Sequence, residues 1–366
     1  MVRCNAIKEL SNRHKAIIFS ISLCFFCIFA IKPYDVPLSL AENDTVDYDV
    51  SSYIVPEKTK EANGRVVEHV VLYPQETHES LKKISRHGVL SRSEGAKATI
   101  LICHGFMCDK YDVGMLRKVF KPSQFNIMTF DFRGHGEERQ GQYCTFGRDE
   151  ALDVIAAAQF LRNHPQLHDK PLFCYGFSMG AVSAIEAQAL THLFDAMILD
   201  CPFDSSERVI KTGLSGLTCS LFGYEFSMPG KDLLQRYAFH PYVQSLVKAV
   251  LKTVAQMDTT GVNTNFCPLY PAESVKKITI PLLFIHCKND QKVSVDQVKR
   301  VYNGAAGHKR LWLTNGRRHY DSFFYNPEKY TEEVRKFYNQ VLSGDIYQEP
   351  WQEVVEDDED DDHLFG

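Results

Sequence analysis

Several things are scarce or missing in this 366-residue chain, and each narrows what it does. No Lys/Arg cluster recurs on a readable face, so the electrostatic footprint of a nucleic-acid binder is absent. The net charge is −5, but eight carboxylates between Glu353 and Asp362 account for it, and the remaining body is slightly basic. Charge therefore points to no partner class. The eleven cysteines do not form a disulfide framework: Cys103, Cys174 and Cys287 lie in or beside apolar runs, where thiols act as small core residues. Cys24-x-x-Cys27 sits in an apolar N-terminal stretch without the βαβ context of a redox motif. No Cys/His set has metal-ligand spacing, the nearest being Cys103, His104 and Cys108. Internal repeats are missing too. The longest uncharged apolar run, Ala16–Ile31, has sixteen residues, long for a signal-peptide core and short for a membrane span.

What is present reads as a soluble body with a large core: 44% of residues are hydrophobic and 24% charged. Residues 1–41 are expected to be a signal peptide or membrane anchor. Arg3, Lys8, Arg13 and Lys15 precede the apolar run, which predicts a cytoplasmic N-terminus and an exported or tethered body. Residues 42–63 are polar and acidic and read as a linker. From 64 to 344 the pattern is that of a single α/β domain. Strands are expected at Arg65–Tyr73, Thr99–Cys103, Phe125–Phe130, Pro171–Tyr175, Ala196–Leu199, Ile278–His286 and Lys309–Leu313, with an ambiguous one near Gly88–Leu90. Helical spacing runs over Asp149–Leu161, Ala181–Leu190 and Pro327–Leu342; the last places Val334, Phe337, Tyr338 and Val341 on a buried face. Apolar strands alternating with helices predict a mostly parallel sheet covered on both faces. The series breaks at about 204–278, where Val243, Val247, Val250 and Val254 recur at helical spacing. That insert is expected to be a helical cap. Residues 345–366 end in an unbroken acidic run, Glu356–Asp362, and read as a solvated tail.

The chemistry centres on Gly176-Phe177-Ser178-Met179-Gly180. Between a strand and a small-residue helix, G-x-S-x-G forms a sharp turn that exposes its serine at a helix N-terminus. A serine hydroxyl needs a base, and the base needs an orienting carboxylate. Asp290 and His319 follow in that order, each just past a strand, at the edge where open α/β sheets bind ligands. Asp200 and, less favourably, Asp296 are alternative orienting acids. The oxyanion donors are expected to be the N–H groups of Met179, after the nucleophile, and of Phe106, in the turn His104-Gly105-Phe106. Their side chains would line an apolar acyl pocket. His286 reads as a core histidine and His135 as a loop brace; Asp131 and Arg133 read as a local ion pair or loop anchor.

From Ala98 to about Val341 these motifs together resemble the serine aminopeptidase-like branch of the α/β-hydrolases, which includes small esterases and lysophospholipase-like enzymes. His104-Gly105-Phe106, Asp131-x-Arg133-Gly134-His135-Gly136, Gly176-x-Ser178-x-Gly180 and Lys288-Asn289-Asp290 carry the likeness, and Asp200-Cys201-Pro202-Phe203 is similar to the segment that opens the branch's cap. The resemblance implies an α/β-hydrolase fold with Ser178 as nucleophile, Asp290 as acid, His319 as base, and Phe106 and Met179 as oxyanion donors. It implies no metal or organic cofactor. The expected substrate is a small-molecule or lipid-like ester or thioester, with a peptide or amide bond as the alternative and a non-catalytic binding protein as the competing class.

Overall fold

A computed structural model describes residues 54–62, 65–75, 85–121, 123–136, 142–215, 218–221, 224–227, 231–240, 243–245, 264–348 and 352–356. All of them fall in one unit, Leu38–Gly366. The N-terminal run Ala16–Ile31 lies outside the described residues, as do Val247, Val250 and Val254 of the expected cap helix. Among the described residues no helix is long and apolar enough to cross a membrane.

Twelve strands are described: β1 Ile54–Ala62, β2 Arg65–Leu72, β3 Arg86–Ser93, β4 Ala98–Cys103, β5 Phe125–Phe130, β6 Leu172–Phe177, β7 Ala196–Asp200, β8 Thr218–Leu221, β9 Tyr224–Ser227, β10 Leu282–Cys287, β11 Lys309–Thr314 and β12 Gln352–Val355. The longer helices are α1 Glu150–Asn163, α2 Met179–Thr191, α3 Ser206–Ser215, α4 Val295–Gly304 and α5 Pro327–Ser343. Ten strands form one sheet in the order β1-β2-β3-β5-β4-β6-β7-β10-β11-β12. From β5 to β12 all pairs are parallel, while β1, β2, β3 and β5 pair antiparallel.

The central strands are apolar because neither face meets water: every residue of β4, β5, β6, β7 and β10 is buried. On one face Tyr330, Val334, Phe337 and Tyr338 of α5 pack against Ile100, Ile102, Phe173 and Tyr175. Tyr338 stacks on Phe173 with ring centroids 4.6 Å apart and donates its hydroxyl to the Cys174 carbonyl at 2.7 Å. Helix α2 lies on the other face, where a Cβ on Gly176 would come within 2.8 Å of Ala181 Cα. It is buried at every position from Met179 to Ala189, its three polar members engaged: Ser183 Oγ donates to the Met179 carbonyl, Glu186 accepts from Ser274 Oγ, and Gln188 binds Phe194.

Four expectations are corrected. The stretch 42–63 is not all linker, since β1 (Ile54–Ala62) pairs antiparallel with β2; its mixed polar sequence suits an edge strand held by ladder hydrogen bonds. The acidic C-terminal stretch is not all solvated, because β12 adds to β11 in parallel register and Glu356 N–H donates to the Leu313 carbonyl at 3.0 Å. The insert is not purely helical: after α3, β8 and β9 pair antiparallel. Finally, the strand expected from Ile278 begins at Leu282, because Val275–Lys277 is a short 3-10 turn ending in the extended Ile278.

Candidate active site

Each predicted site residue stands at the C-terminal edge of the sheet. Ser178 links β6 to α2 at φ 51°, ψ −119°, a conformation costing about 1–3 kcal/mol that neighbours must hold. Two main-chain hydrogen bonds do so: Ser178 N–H donates to the Asp200 carbonyl at 2.8 Å, and Val182 N–H to the Ser178 carbonyl at 3.2 Å. The second elbow glycine is obligatory on contact grounds. A Cβ on Gly180 would lie 2.2 Å from the Cys103 carbonyl oxygen and 2.4 Å from that of His104, so only glycine lets α2 start against the end of β4.

His319 follows β11 and Asp290 follows β10, and the fold brings both to Ser178. His319 Nε2 lies 2.8 Å from Ser178 Oγ, and His319 Nδ1 lies 2.6 Å from Asp290 Oδ2. Asp290 Oδ1 accepts from the N–H groups of Lys292 at 2.8 Å and Val293 at 3.0 Å, which fixes the carboxylate plane. Burial pushes the Asp290 carboxyl upward. The His319 hydrogen bond and charge, with the Val293 N–H, outweigh burial and hold it below the usual range. Nδ1–H therefore donates to the carboxylate, leaving the Nε2 lone pair to the serine proton.

The rival acid is engaged elsewhere. Asp200 Oδ2 accepts from Tyr330 Oη at 2.7 Å and Tyr175 Oη at 3.1 Å, and Oδ1 from Cys201 Sγ at 3.2 Å. Complete burial raises its carboxyl to about 6 despite these donors. Asp296 is exposed in the first turn of α4. His286 is a core histidine: its Nε2–H donates to the Val293 carbonyl at 3.0 Å, and burial lowers it to about 4.

Met179 follows Ser178 in the chain, and Phe106 follows Gly105, where a Cβ would stand 2.5 Å from Phe177 Cε2; among the main-chain hydrogen bonds of the described residues neither N–H is a donor. Two histidines shape the turn that carries Phe106. His104 Nδ1–H donates to the Gly105 carbonyl at 2.8 Å while Nε2 accepts from Phe132 N–H at 3.1 Å. Its burial, and then the nearby His135, lower it to about 3, so it stays neutral. His135 donates from Nδ1 to the Arg133 carbonyl at 2.9 Å and accepts at Nε2 from Met107 N–H at 3.2 Å, the bracing role expected of it. Asp131 and Arg133 do not pair with each other. Asp131 holds Lys110, with Nζ at 2.5 Å, and Arg133 joins Arg86 on Asp153, each at 2.8 Å. The i, i+2 spacing on a turn sends the two side chains apart.

Some contributors escaped the sequence reading. Phe177 and Tyr320, neighbours of the serine and the histidine, stack with centroids 3.9 Å apart and planes within 14°. Their positions beside motif residues were the available signal. Glu150, fully buried, grips the loop before α1, and nothing in its helical context marks it. As for metals, Cys201, Asp290 and His319 place donor atoms within 4.8 Å of one another. A cation there would have to displace the proton shared by Asp290 and His319. Cys103, His104 and Cys108 do not assemble: Cys103 meets Cys174 at 3.8 Å, and both His104 nitrogens serve the backbone.

A family model described as serine aminopeptidase, S33, matches residues 94–217. Esterase Pf2001 of Pyrococcus furiosus superposes with a TM-score of 0.53 over 85% of this chain and 100% of that one, at 20% identity. The chain has the α/β-hydrolase fold. It also superposes on an acetyl xylan esterase from Paenibacillus sp. R4, with a TM-score of 0.52 and 16% identity over 78% of this chain and 87% of that one. In sequence it is 26% identical to the uncharacterized protein YqkD of Bacillus subtilis (strain 168) over 242 residues, 65% of this chain and 70% of the relative. It is 23% identical to the lysophosphatidylserine lipase ABHD12 of Danio rerio over 202 residues, 54% of this chain and 44% of the relative.

Proposed function

We propose that this α/β-hydrolase is a serine hydrolase that cleaves an ester or thioester of a moderately apolar acyl group through an acyl-enzyme on Ser178. The observation that carries the reading is the unbroken relay from Asp290 through His319 to Ser178, at 2.6 and 2.8 Å. His319 Nε2 takes the hydroxyl proton as Ser178 Oγ attacks the carbonyl carbon, then returns it to the leaving alkoxide or thiolate. Water repeats the sequence on the acyl-enzyme, releasing the acid and restoring the serine. Asp290 keeps the imidazole in the Nδ1–H tautomer and stabilises its charged form. The N–H groups of Phe106 and Met179 receive the oxyanion, and each such donor supplies about 3 kcal/mol of barrier lowering. The names borne by the neighbours, esterases and a lysophospholipid lipase, support an ester substrate, small or lipid-like.

The family model's description favours a second reading, hydrolysis of an aminoacyl amide. The test is labelling of the full chain by a fluorophosphonate probe, followed by turnover of matched p-nitrophenyl esters and aminoacyl amides. Wild type is expected to label at Ser178 and Ser178→Ala not at all. A folded wild type that does not label would establish a binding protein instead. The basic flank before Ala16–Ile31 supports an exported or membrane-anchored body. Protease protection of the chain in sealed membrane fractions tests that placement; a body that stays cytoplasmic would refute it.

A further inference from the structure

On the serine-hydrolase reading, an acyl group on Ser178 whose oxygen turns to the N–H groups of Phe106 and Met179 runs along the half-buried Phe106, because the Met179 side chain is fully buried and lines no open pocket. What lies behind them is packed. Phe106 meets Phe146 edge-on, with centroids 5.4 Å apart and planes at 74°. Phe146 in turn stacks on Phe203, at 5.3 Å and 16°, and takes the edge of Phe266 at 5.9 Å. Phe146, Phe203 and Phe266 are 6%, 0% and 5% exposed. The Met179 side chain is fully buried against Cys144, Sδ to Sγ 3.4 Å. Three separate segments thus converge on one ring: the oxyanion turn, the turn after β7, and the segment that returns from the insert.

That ring is held rather than merely lodged. Phe146 adopts φ 66°, the left-handed region that a bulky residue enters only under constraint. The constraint is Glu150. Its carboxylate accepts from Thr145 N–H at 2.8 Å, Thr145 Oγ1 at 2.8 Å and Gly147 N–H at 2.7 Å, so both residues flanking Phe146 are gripped. Gly147 at φ 118° presses so close to α2 that a Cβ would stand 2.7 Å from Val182 Cγ2. On the other side Asn265 N–H donates to the Cys144 carbonyl at 2.8 Å, and Gln244 binds Phe266 through both its N–H and its carbonyl, at 3.0 and 2.9 Å. Moving the backbone that carries Phe146 would break the buried hydrogen bonds of Glu150 and Asn265 on either side of it, which makes that segment a fixed wall and not a lid.

We infer that Phe146 is the stop at the end of the acyl pocket, and that it restricts this enzyme to short acyl groups, of the size of acetyl to butyryl. The inference rests on the serine-hydrolase reading of Ser178 and names the substrate class within it. The purified full chain is assayed on p-nitrophenyl esters from acetyl to dodecanoyl, as wild type, Phe146→Leu and Phe146→Ala. Thermal melting confirms folding, and fluorophosphonate labelling reports the nucleophile. Wild type should favour acetyl or butyryl over octanoyl by about tenfold or more in kcat/KM, the scale on which an apolar pocket senses chain size. Phe146→Leu should raise the octanoyl-to-acetyl ratio, and Phe146→Ala should raise it further, by about tenfold. If wild type turns over octanoyl as fast as butyryl, the stop does not exist. A folded leucine variant with an unchanged chain-length profile would reduce Phe146 to a core residue and overturn the inference, even if the alanine variant fails to fold. Labelling at Ser178 with a flat profile refutes the stop alone, whereas an unlabelled, inactive wild type removes the hydrolase reading and the stop with it.

Discussion

Replacing Asp290 with asparagine tests the site at its most informative atom. The side chain keeps its shape, and the two main-chain donors, Lys292 N–H at 2.8 Å and Val293 N–H at 3.0 Å, still demand an acceptor. The amide oxygen satisfies them. The NH2 group must then face His319 Nδ1, at the position where Oδ2 stands 2.6 Å away in the wild type. Two donors cannot share that contact, so the imidazole shifts its proton to Nε2 and presents no lone pair to Ser178. Loss of the base and of the charge that stabilises the imidazolium should lower kcat about 10⁴-fold, or about 5.5 kcal/mol of barrier, with KM little changed. Asp200→Asn is the control. Its Oδ2 faces the hydroxyls of Tyr330 and Tyr175, which donate to an amide oxygen as well as to a carboxylate, so its kcat should fall no more than about tenfold. The assay is steady-state hydrolysis of p-nitrophenyl butyrate, with the rate of fluorophosphonate labelling as a second measure. Retention of more than a tenth of wild-type kcat by Asp290→Asn, or a larger loss in Asp200→Asn, would refute the assignment of the acid.

Further outcomes follow from the same geometry. Asp200 has its carboxyl raised from 3.8 to about 6 by burial, so in this range the folded state holds a proton that the unfolded chain has lost. Its stabilising contribution is present below pH ~4 and disappears as pH rises through about 6, at up to about 1.4 kcal/mol per pH unit. Urea titrations from pH 4 to 7 should show that slope in wild type and a shallower one in Asp200→Asn; equal slopes would contradict the assignment. Gly180→Ala forces a Cβ to within 2.2 Å of the Cys103 carbonyl oxygen, against backbone that cannot step aside. It should cost about 3 kcal/mol or more in denaturant unfolding and abolish labelling; a near-normal midpoint would argue against this elbow. Removing residues 357–366 should leave the melting temperature unchanged. Removing 345–366 strips β12 from β11 and should lower the midpoint by several degrees, at about 2–4 °C per kcal/mol. Equal midpoints for the two truncations would show that β12 contributes nothing.

The parallel half of the sheet was legible because its strands are buried on both faces, which writes an unbroken apolar run into the chain: the runs Thr99–Cys103 and Pro171–Tyr175 fall on the strands Ala98–Cys103 and Leu172–Phe177. That Ser178, Asp290 and His319 would meet was legible because strand ends are easy to locate and the residue types at them are few. The edges were harder. β1 and β12 are stabilised by main-chain pairing, which leaves little trace in side chains; Val354 and Val355 remain 37% and 51% exposed. An acidic neighbourhood then hid a four-residue strand. Choosing Asp290 over Asp200 from sequence rested on the order of strands, whereas in space the hydroxyls of Tyr175 and Tyr330 claim Asp200, and those residues are 155 positions apart. Long-range hydroxyl contacts of this kind have no local periodicity. The same holds for Glu150, which looks like any helix-start glutamate until the loop folds back over it.

Glu356 bears on how the protein is handled. Its carbonyl accepts from Lys288 Nζ, two residues before Asp290, and its carboxylate accepts from Asn315 N–H at 3.0 Å, four residues before His319, while also meeting Lys329 Nζ at 2.9 Å. Glu356 thus works as a clasp across the two loops that carry Asp290 and His319. An affinity handle, fluorophore or fusion partner joined directly after it would load that clasp and register in turnover. Spacing such attachments well beyond the acidic run keeps the reporter from becoming an inhibitor.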